Sequence, residues 1–393
     1  MGIDFRREIT SLKGEMIRMR RDFHRRPEPG FQEGETSKVV AKKLEEYGLE
    51  VKRGIAKTGV VGLLRGRRKG KTILIRADMD ALTVKEQTGL EFASENEGVM
   101  HACGHDGHMA IGLTTARILS RHRDALMGNV KFVFQPAEEW PGGAKLMIEE
   151  GVMADPEVDA AIGLHLWNYL PIRKVGVRSG PIMASMDSMK IKIKGRGGHG
   201  AIPHDAVDSI VVSSHVVTAL QTIVSREIAP IAPCVVTIGT IKGGYGFNII
   251  ADSVEMEGTA RAIDVELQKT LPERIERIIK GVTSGMRADY EFEYTFHHPV
   301  TINDEKMARL IEEVSVAAVG QENIVVAEKT MGGEDMAFFL REVPGCYFFL
   351  GSSNKEKGLN QPHHSPQFNF DEDAMPIGVE IFVRAAMKYL GSP

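Results

Sequence analysis

The chain has 393 residues, of which 42% are hydrophobic and 26% charged, with a net charge of −4. That length exceeds one ordinary core and implies two domains, while the slight acidity excludes a general nucleic-acid binder, which carries a basic excess. No apolar stretch approaches membrane-spanning length and the polar start has no signal-peptide core, so a cytoplasmic globular protein is expected.

In chain order, residues 4–26 read as a helix that stops at Pro27-Glu28-Pro29-Gly30, and residues 36–47 as a second that ends at Gly48. Short apolar runs then alternate with helical patterns. Residues 72–77, 130–134, 160–164 and 347–350 are continuous or nearly continuous apolar strands. Such runs separated by helices predict a largely parallel sheet buried on both faces. Between about 182 and 299 the rhythm changes. A half-buried strand is expected at 188–194, a helix at 206–225, strands at 234–241 and 253–263, a helix at 265–287 and a strand at 290–296. The order βαββαβ is the ferredoxin-like plan. The fold class expected is therefore α/β. Residues 1–183 and 300–393 form a discontinuous catalytic domain, with a mostly parallel mixed sheet flanked by helices, and 184–299 an inserted ferredoxin-like lid or dimerisation domain.

The run MHACGHDGH at 100–108 places three imidazoles, a thiol and a carboxylate within nine residues. Side chains of this kind set so close are ligands for a borderline transition metal such as zinc. The predicted strands supply it with partners. Residues 72–77 run into Asp78 and Asp80, 130–134 into Gln135-Pro136-Ala137-Glu138-Glu139, 160–164 into His165, and 347–350 lead by a polar loop to His363 and His364. Open α/β sheets bind ligands at the carboxyl ends of their strands, so these groups should meet in one crevice with Cys103 and His105.

Each residue type also has a plainer use. A single histidine is more often a structural hydrogen-bonding group, so His24, His122, His215, His297 and His298 receive no role, and the pair Glu149-Glu150 reads as solvated. Cys103 alone would be an inert buried thiol; with Cys234 and Cys346 it makes three widely spaced thiols without a secretory signal, which argues against a disulfide framework and for a reducing compartment. For Cys103, His105, Glu139, His165 and His364 together, a metal site is favoured over coincidence. Two divalent ions roughly 3.5 Å apart can clamp both water and the reacting oxygen. Their repulsion calls for a thiolate or carboxylate bridge. An unliganded carboxylate must then carry the water's proton to the leaving amine. Of two adjacent glutamates, one can coordinate and the other can do this.

These motifs closely resemble the metal-dependent amidohydrolase branch of the aminoacylase/carboxypeptidase superfamily, which includes N-acyl-amino-acid amidohydrolases, hippurate hydrolases and auxin-conjugate hydrolases. The resemblance runs from His24-Arg25-Arg26-Pro27-Glu28 through Arg76-Ala77-Asp78-Met79-Asp80, the 100–108 run, Gln135-Pro136-Ala137-Glu138-Glu139 and Gly163-Leu164-His165. It continues through Gly197-Gly198-His199-Gly200 and Phe247-Asn248-Ile249-Ile250 to Gly333-Glu334-Asp335 and His364-Ser365-Pro366. It implies that Cys103 bridges two divalent ions (zinc, manganese, cobalt or nickel), with His105, Glu139, His165 and His364 completing the sites. His364 rather than His363 takes the role because the family ligand directly precedes Ser-Pro. Glu138 is implied as general base and then acid. His199 would steady the oxyanion, from the partner subunit in dimeric relatives. Asn248 and Arg261 are implied as grips for the substrate carboxylate, although a strand-end cap and a surface charge would also account for them. Asp78 and Asp80 are expected to support the ligands. The family's usual proline is Thr83 here, and its Ile-Pro-Asp is Ile250-Ala251-Asp252, changes that bear on substrate preference.

The expected protein is a cytoplasmic homodimer or higher homo-oligomer that hydrolyses small N-acyl amino acids or peptides, with no nucleic-acid or membrane partner. A carboxypeptidase or dipeptidase would use the same chemistry. A non-catalytic metal or small-ligand binder would have no need of Glu138. A redox role for Cys103 lacks a resolving thiol.

Overall fold

A computed structural model describes residues 4–391. It divides into two compact units. The first comprises the chain up to Gly180, Ile302–Glu328 and the chain from Asp335 on; the second comprises Pro181–Thr301 and Lys329–Glu334. The hexapeptide Lys329–Glu334 lies outside the 184–299 expected for the inserted domain. It is drawn to the second unit by backbone bonds from Ala184 N–H to the carbonyls of Thr330 and Gly332, a long-range pairing with no local sequence signal.

The first unit is built on an eight-stranded sheet in the order Glu50–Ile55, Gly59–Arg65, Asn129–Gln135, Thr72–Asp78, Ala160–Pro171, Gly345–Ser353, Val175–Val177, Ile324–Val326. Its four central strands are those expected from the apolar runs, and they are mutually parallel. Thr72–Asp78 and Gly345–Ser353 are buried along their whole length, which is why they read as unbroken apolar runs. The edge hairpin Glu50–Ile55/Gly59–Arg65 was not anticipated. Its outer strand is mostly exposed and charged, as edge strands that must resist pairing usually are. Ala160–Pro171 is also longer than the 160–164 expected, so His165 does not end its strand. Register restores the expectation in another form: Arg76 pairs with Gly163, so Asp78, the last residue of its strand, stands level with His165.

Helices flank this sheet. In Phe5–Arg25 the buried Ile9, Leu12, Met16, Met19 and Phe23 form a stripe at alternating spacings of three and four, and Asp4 caps the start by accepting from Arg7 N–H. Burying each such side chain contributes about 1.5–3 kcal/mol. His105–Arg121 packs against Phe5–Arg25, Met375–Leu390 and the strand Thr72–Asp78. Enclosed in this way, it is buried on nearly every side from His105 to Ala116.

The second unit holds a four-stranded antiparallel sheet in the order Cys234–Gly243, Ser253–Ala262, Met186–Lys194, Asp289–His298. With helices Ser209–Thr222 and Val265–Gly285 it has the ferredoxin-like order. Met189, Ile191 and Ile193 alternate inward along one strand and form a core with Val212, Val216 and Leu220 of the first helix. That helix starts three residues later than expected because Asp208 caps it, accepting from the amides of Ile210 and Val211. Among the described residues no helix is long and apolar enough to cross a membrane.

Candidate metal centre

The site grows from the junction between the 100–108 run and the helix it opens. Gly104, with φ +90°, turns the chain so that Cys103 ends the loop and His105 begins the helix. The first turn of the helix packs closely behind it: a Cβ on Gly107 would lie 2.5 Å from the Leu166 side chain and 2.6 Å from that of Phe370. His105 is buried, and its Nδ1 donates to the Asp80 carbonyl at 2.9 Å. This leaves Nε2 buried with no hydrogen-bond partner. A buried imidazole nitrogen held ready by its other nitrogen is the arrangement of a metal ligand.

Ligand atoms from four other residues gather around it. Cys103 Sγ lies 3.4 Å from His165 Nε2. His364 Nε2 lies 3.1 Å from Glu139 Oε1. Three clusters, each with ligand atoms within 4.8 Å of one another, overlap: Cys103/His165/His363, Cys103/Glu139/His364 and His105/Glu138/Glu139. All five expected ligands are therefore brought together, and Cys103 and Glu139 each stand in two clusters. Buried Glu138 adjoins His105 and Glu139. The donor set of thiol, imidazoles and carboxylate suits two divalent ions of the zinc type.

A further cluster, Asp78/His105/His108, also has metal-like spacing, but its hydrogen bonds are already committed. His108 donates from Nδ1 to Asp78 Oδ1 at 2.6 Å and accepts at Nε2 from Leu166 N–H at 2.9 Å. Asp78 Oδ2 is held by Arg76 at 2.5 Å. Of this group only His105 has a ligand atom to spare. His363 is occupied in the same way: its Nε2 accepts from Asn168 N–H at 3.2 Å, so its Nδ1 proton faces Cys103 Sγ at 3.8 Å. The geometry thus separates the two neighbouring histidines, with His363 turned to the sulfur and His364 to Glu139.

The electrostatics favour a cation at this point. Burial disfavours charge on His105, but Asp78, Asp80 and Glu139 outweigh it and raise His105 to about 10. His165 is pushed well below its ordinary value by burial and by His108 and His363, which keeps it neutral. Burial and the nearby Glu139 and Glu138 carboxylates push the Cys103 thiol well up. A cation is what would bring the thiol to a thiolate and displace the His105 proton.

Three residues position the site through long-range bonds: Asp80, expected to support the ligands, and Asp335 and His24, to which the sequence assigned no role. Asp335 accepts from Arg76 at 2.9 Å and from the amides of Gly143 and Ala144 at 3.1 and 3.0 Å. Asp80 Oδ2 accepts from Glu139 N–H at 2.9 Å. His24, given no role, is fully buried and donates to Asp106 at 2.8 Å, beside Arg20, which reaches the same oxygen at 2.7 Å. The apolar stripe of Phe5–Arg25 conceals these two polar residues, and nothing local marks them as partners of the 100–108 run.

In the second unit, His199 is exposed on a short ladder in which it faces Ile249. Its Nδ1 accepts from Ala201 N–H at 3.0 Å. Asn248 belongs to the same ladder, its carbonyl accepting from Gly200 N–H at 2.8 Å. Arg261 does not join them. It lies toward the far end of the strand Ser253–Ala262, roughly 26 Å along at an extended rise. Half-buried, it donates to the Met331 carbonyl at 3.2 Å.

Comparison with known proteins bears on this arrangement. The sequence matches the peptidase family M20/M25/M40 over residues 74–388. It is 39% identical to thermostable carboxypeptidase 2 of Saccharolobus solfataricus, across 97% of both chains. It is 40% identical to N-acetylcysteine deacetylase of Bacillus subtilis, across 95% of this chain and 96% of the other. Among solved structures it is similar to a dinuclear metal binding peptidase of the M20 family from Bacillus subtilis, with a TM-score of 0.85 and 36% identity over 98% of this chain and 100% of that one.

Proposed function

The chain belongs to peptidase family M20/M25/M40, and from that premise we propose that it hydrolyses N-acyl amino acids to a carboxylic acid and a free amino acid. It is a hydrolase of amide bonds; the acyl-amino-acid substrate is the proposal. The observation that carries it is the buried Glu138 set against His105 and Glu139, where the ligand atoms of Cys103, His165 and His364 converge.

In this reading Cys103, His105, Glu139, His165 and His364 would hold two divalent ions, with zinc, manganese, cobalt or nickel all suited to the donors. When bound, they would supply Lewis acidity to the scissile carbonyl and make water acidic at neutral pH. Glu138 takes the proton from water and returns it to the leaving nitrogen. His199 donates to the developing oxyanion. Asn248 and Arg261 hold the substrate carboxylate, Arg261 through its planar fork of donors. Since Asn248 and His199 share one ladder and Arg261 lies far along the strand from it, one copy cannot bring all three to a single substrate through this unit alone. The reading therefore includes a homodimer in which His199 and Asn248 serve the partner's site. A cytoplasmic location belongs to the same reading, supported by three free cysteines, Cys103, Cys234 and Cys346.

A second reading, cleavage of peptides from the carboxyl end, is favoured by the relative named thermostable carboxypeptidase 2. A panel of acetyl-, benzoyl- and indoleacetyl-amino acids and dipeptides, assayed with each metal, decides between them. The proposal expects kcat/KM to be highest on an acyl amino acid and Glu138→Gln to lower it by about 100-fold or more. A preference for dipeptides across the panel would replace the first reading by the second, and a fully active Glu138→Gln variant would overturn both.

A further inference from the structure

The loop that carries Glu138 is gripped by three buried carboxylates. Asp80 takes the Glu139 amide, and Asp335 takes those of Gly143 and Ala144. The third is Glu33, just before the helix Gly34–Glu46 and outside the family match at 74–388. Its Oε1 accepts from Ala137 N–H at 2.9 Å, and its Oε2 from the Thr58 hydroxyl at 2.6 Å.

Glu33 is fully buried. Burial, with the charge of Asp80, raises its pKa against the hydrogen bonds that lower it. A carboxyl group in such a place is costly unless its bonds hold something. What it holds is Ala137, a non-glycine residue at φ +53° directly before Glu138. A left-handed alanine is strained and persists only where its surroundings impose it. The imposing surface is visible. A Cβ on Gly30 would lie 2.9 Å from the Ala137 Cβ and 2.4 Å from the Trp140 carbonyl oxygen, so the segment before Glu33 lies directly against both ends of the Glu138-Glu139 turn. The turn closes on itself through a bond from Gly142 N–H to the Ala137 carbonyl at 3.0 Å.

We propose that Glu33 is the positioning residue for the general base: by holding the Ala137 amide it imposes the left-handed turn that aims Glu138. Glu33 acts through the backbone and touches no substrate. This rests on Glu138 being the general base. Glu33→Ala removes the acceptor, whereas Glu33→Gln keeps an oxygen for Ala137 N–H and an amide that can donate to Thr58. Ala137→Gly supplies a residue that takes positive φ without help.

The test measures kcat, KM, metal content and the pH profile of kcat/KM on an N-acetyl amino acid, using the metal-loaded protein. Glu33→Ala should lower kcat by about 10- to 100-fold, the scale of a displaced catalytic group, with full metal content, little change in KM and a shifted acid limb. Glu33→Gln should keep most of kcat, and Ala137→Gly should restore much of what Glu33→Ala loses. The proposal is overturned if Glu33→Ala leaves kcat intact, or if its loss follows metal content and is not relieved by Ala137→Gly. Glu138→Gln in parallel separates the two claims. If that variant is inactive while Glu33→Ala is active, only the role of Glu33 falls; if it is fully active, the general-base reading falls with it.

Discussion

At His364 and Ala137 the backbone takes φ of +65° and +53°, so two residues at the centre hold a conformation that non-glycine residues seldom adopt. Such positions concentrate at functional sites, where surrounding bonds over-determine them. His364 could be named from its place before Ser-Pro. That it, and not His363, faces Glu139 is decided by the Asn168 amide, which occupies His363. The protonation pattern gives a residue-level prediction. With His105 held near 10 and the Cys103 thiol pushed well up, both carry protons at neutral pH before ligation. Metal uptake should therefore release protons, and affinity should rise with pH. Calorimetry of zinc binding in buffers of different ionisation enthalpy measures this release. Cys103→Ser should release fewer protons and bind more weakly; an unchanged affinity would rule out the thiolate.

The helix His105–Arg121 is placed by charge as well as by packing. Asp106, in its first turn, receives Arg20 and His24 from Phe5–Arg25, all three fully buried. Burial opposes ionisation of Asp106, but Arg20 and His24 hold its pKa well below the carboxylate range. Its stabilising contribution is therefore present above the unfolded value of about 3.9 and is lost as pH falls through the lower folded value. For His24, burial opposes protonation, yet Asp106 and Glu86 raise its pKa. That contribution is full below about 6.5 and is lost as pH rises through the raised folded value. The network should thus stabilise most between these limits. Asp106→Asn leaves Arg20 without its charged partner and should cost about 3–5 kcal/mol at pH 6, with the difference from the parent shrinking on acidification. Denaturant unfolding at pH 6 and pH 3 checks this, and an equal loss at both would refute the linkage.

For the whole molecule, the placement of His199 and Asn248 away from Arg261 bears on assembly. If His199 serves the partner's site, His199→Ala and Glu138→Gln should each be nearly inactive alone. Mixed after dissociation and reassociation, they should regain about a quarter of parental activity, since half the dimers then carry one complete site. Absence of any recovery, with mixed dimers demonstrated, would place His199 in its own subunit's site or in neither.

The four parallel strands and the helical stripe of Phe5–Arg25 were legible because each rests on local pattern: continuous apolar runs and spacing of three and four. The same holds for the βαββαβ order of the second unit. The five ligand candidates were proposed from the 100–108 run, the strand ends and the family resemblance together. The outer strand of the edge hairpin was not legible, because a charged strand carries no apolar period, although its inner strand Gly59–Arg65 is a buried apolar run. Nor were the partnerships of Glu33, Asp335 and His24, each formed with residues far away in sequence. Sequence alone put forward groups of the kinds that bind metal and move protons. Only the tertiary structure decided which were free to do so, since His108, His363 and Asp78 are withdrawn by hydrogen bonds that exist only once the strands and helices have packed.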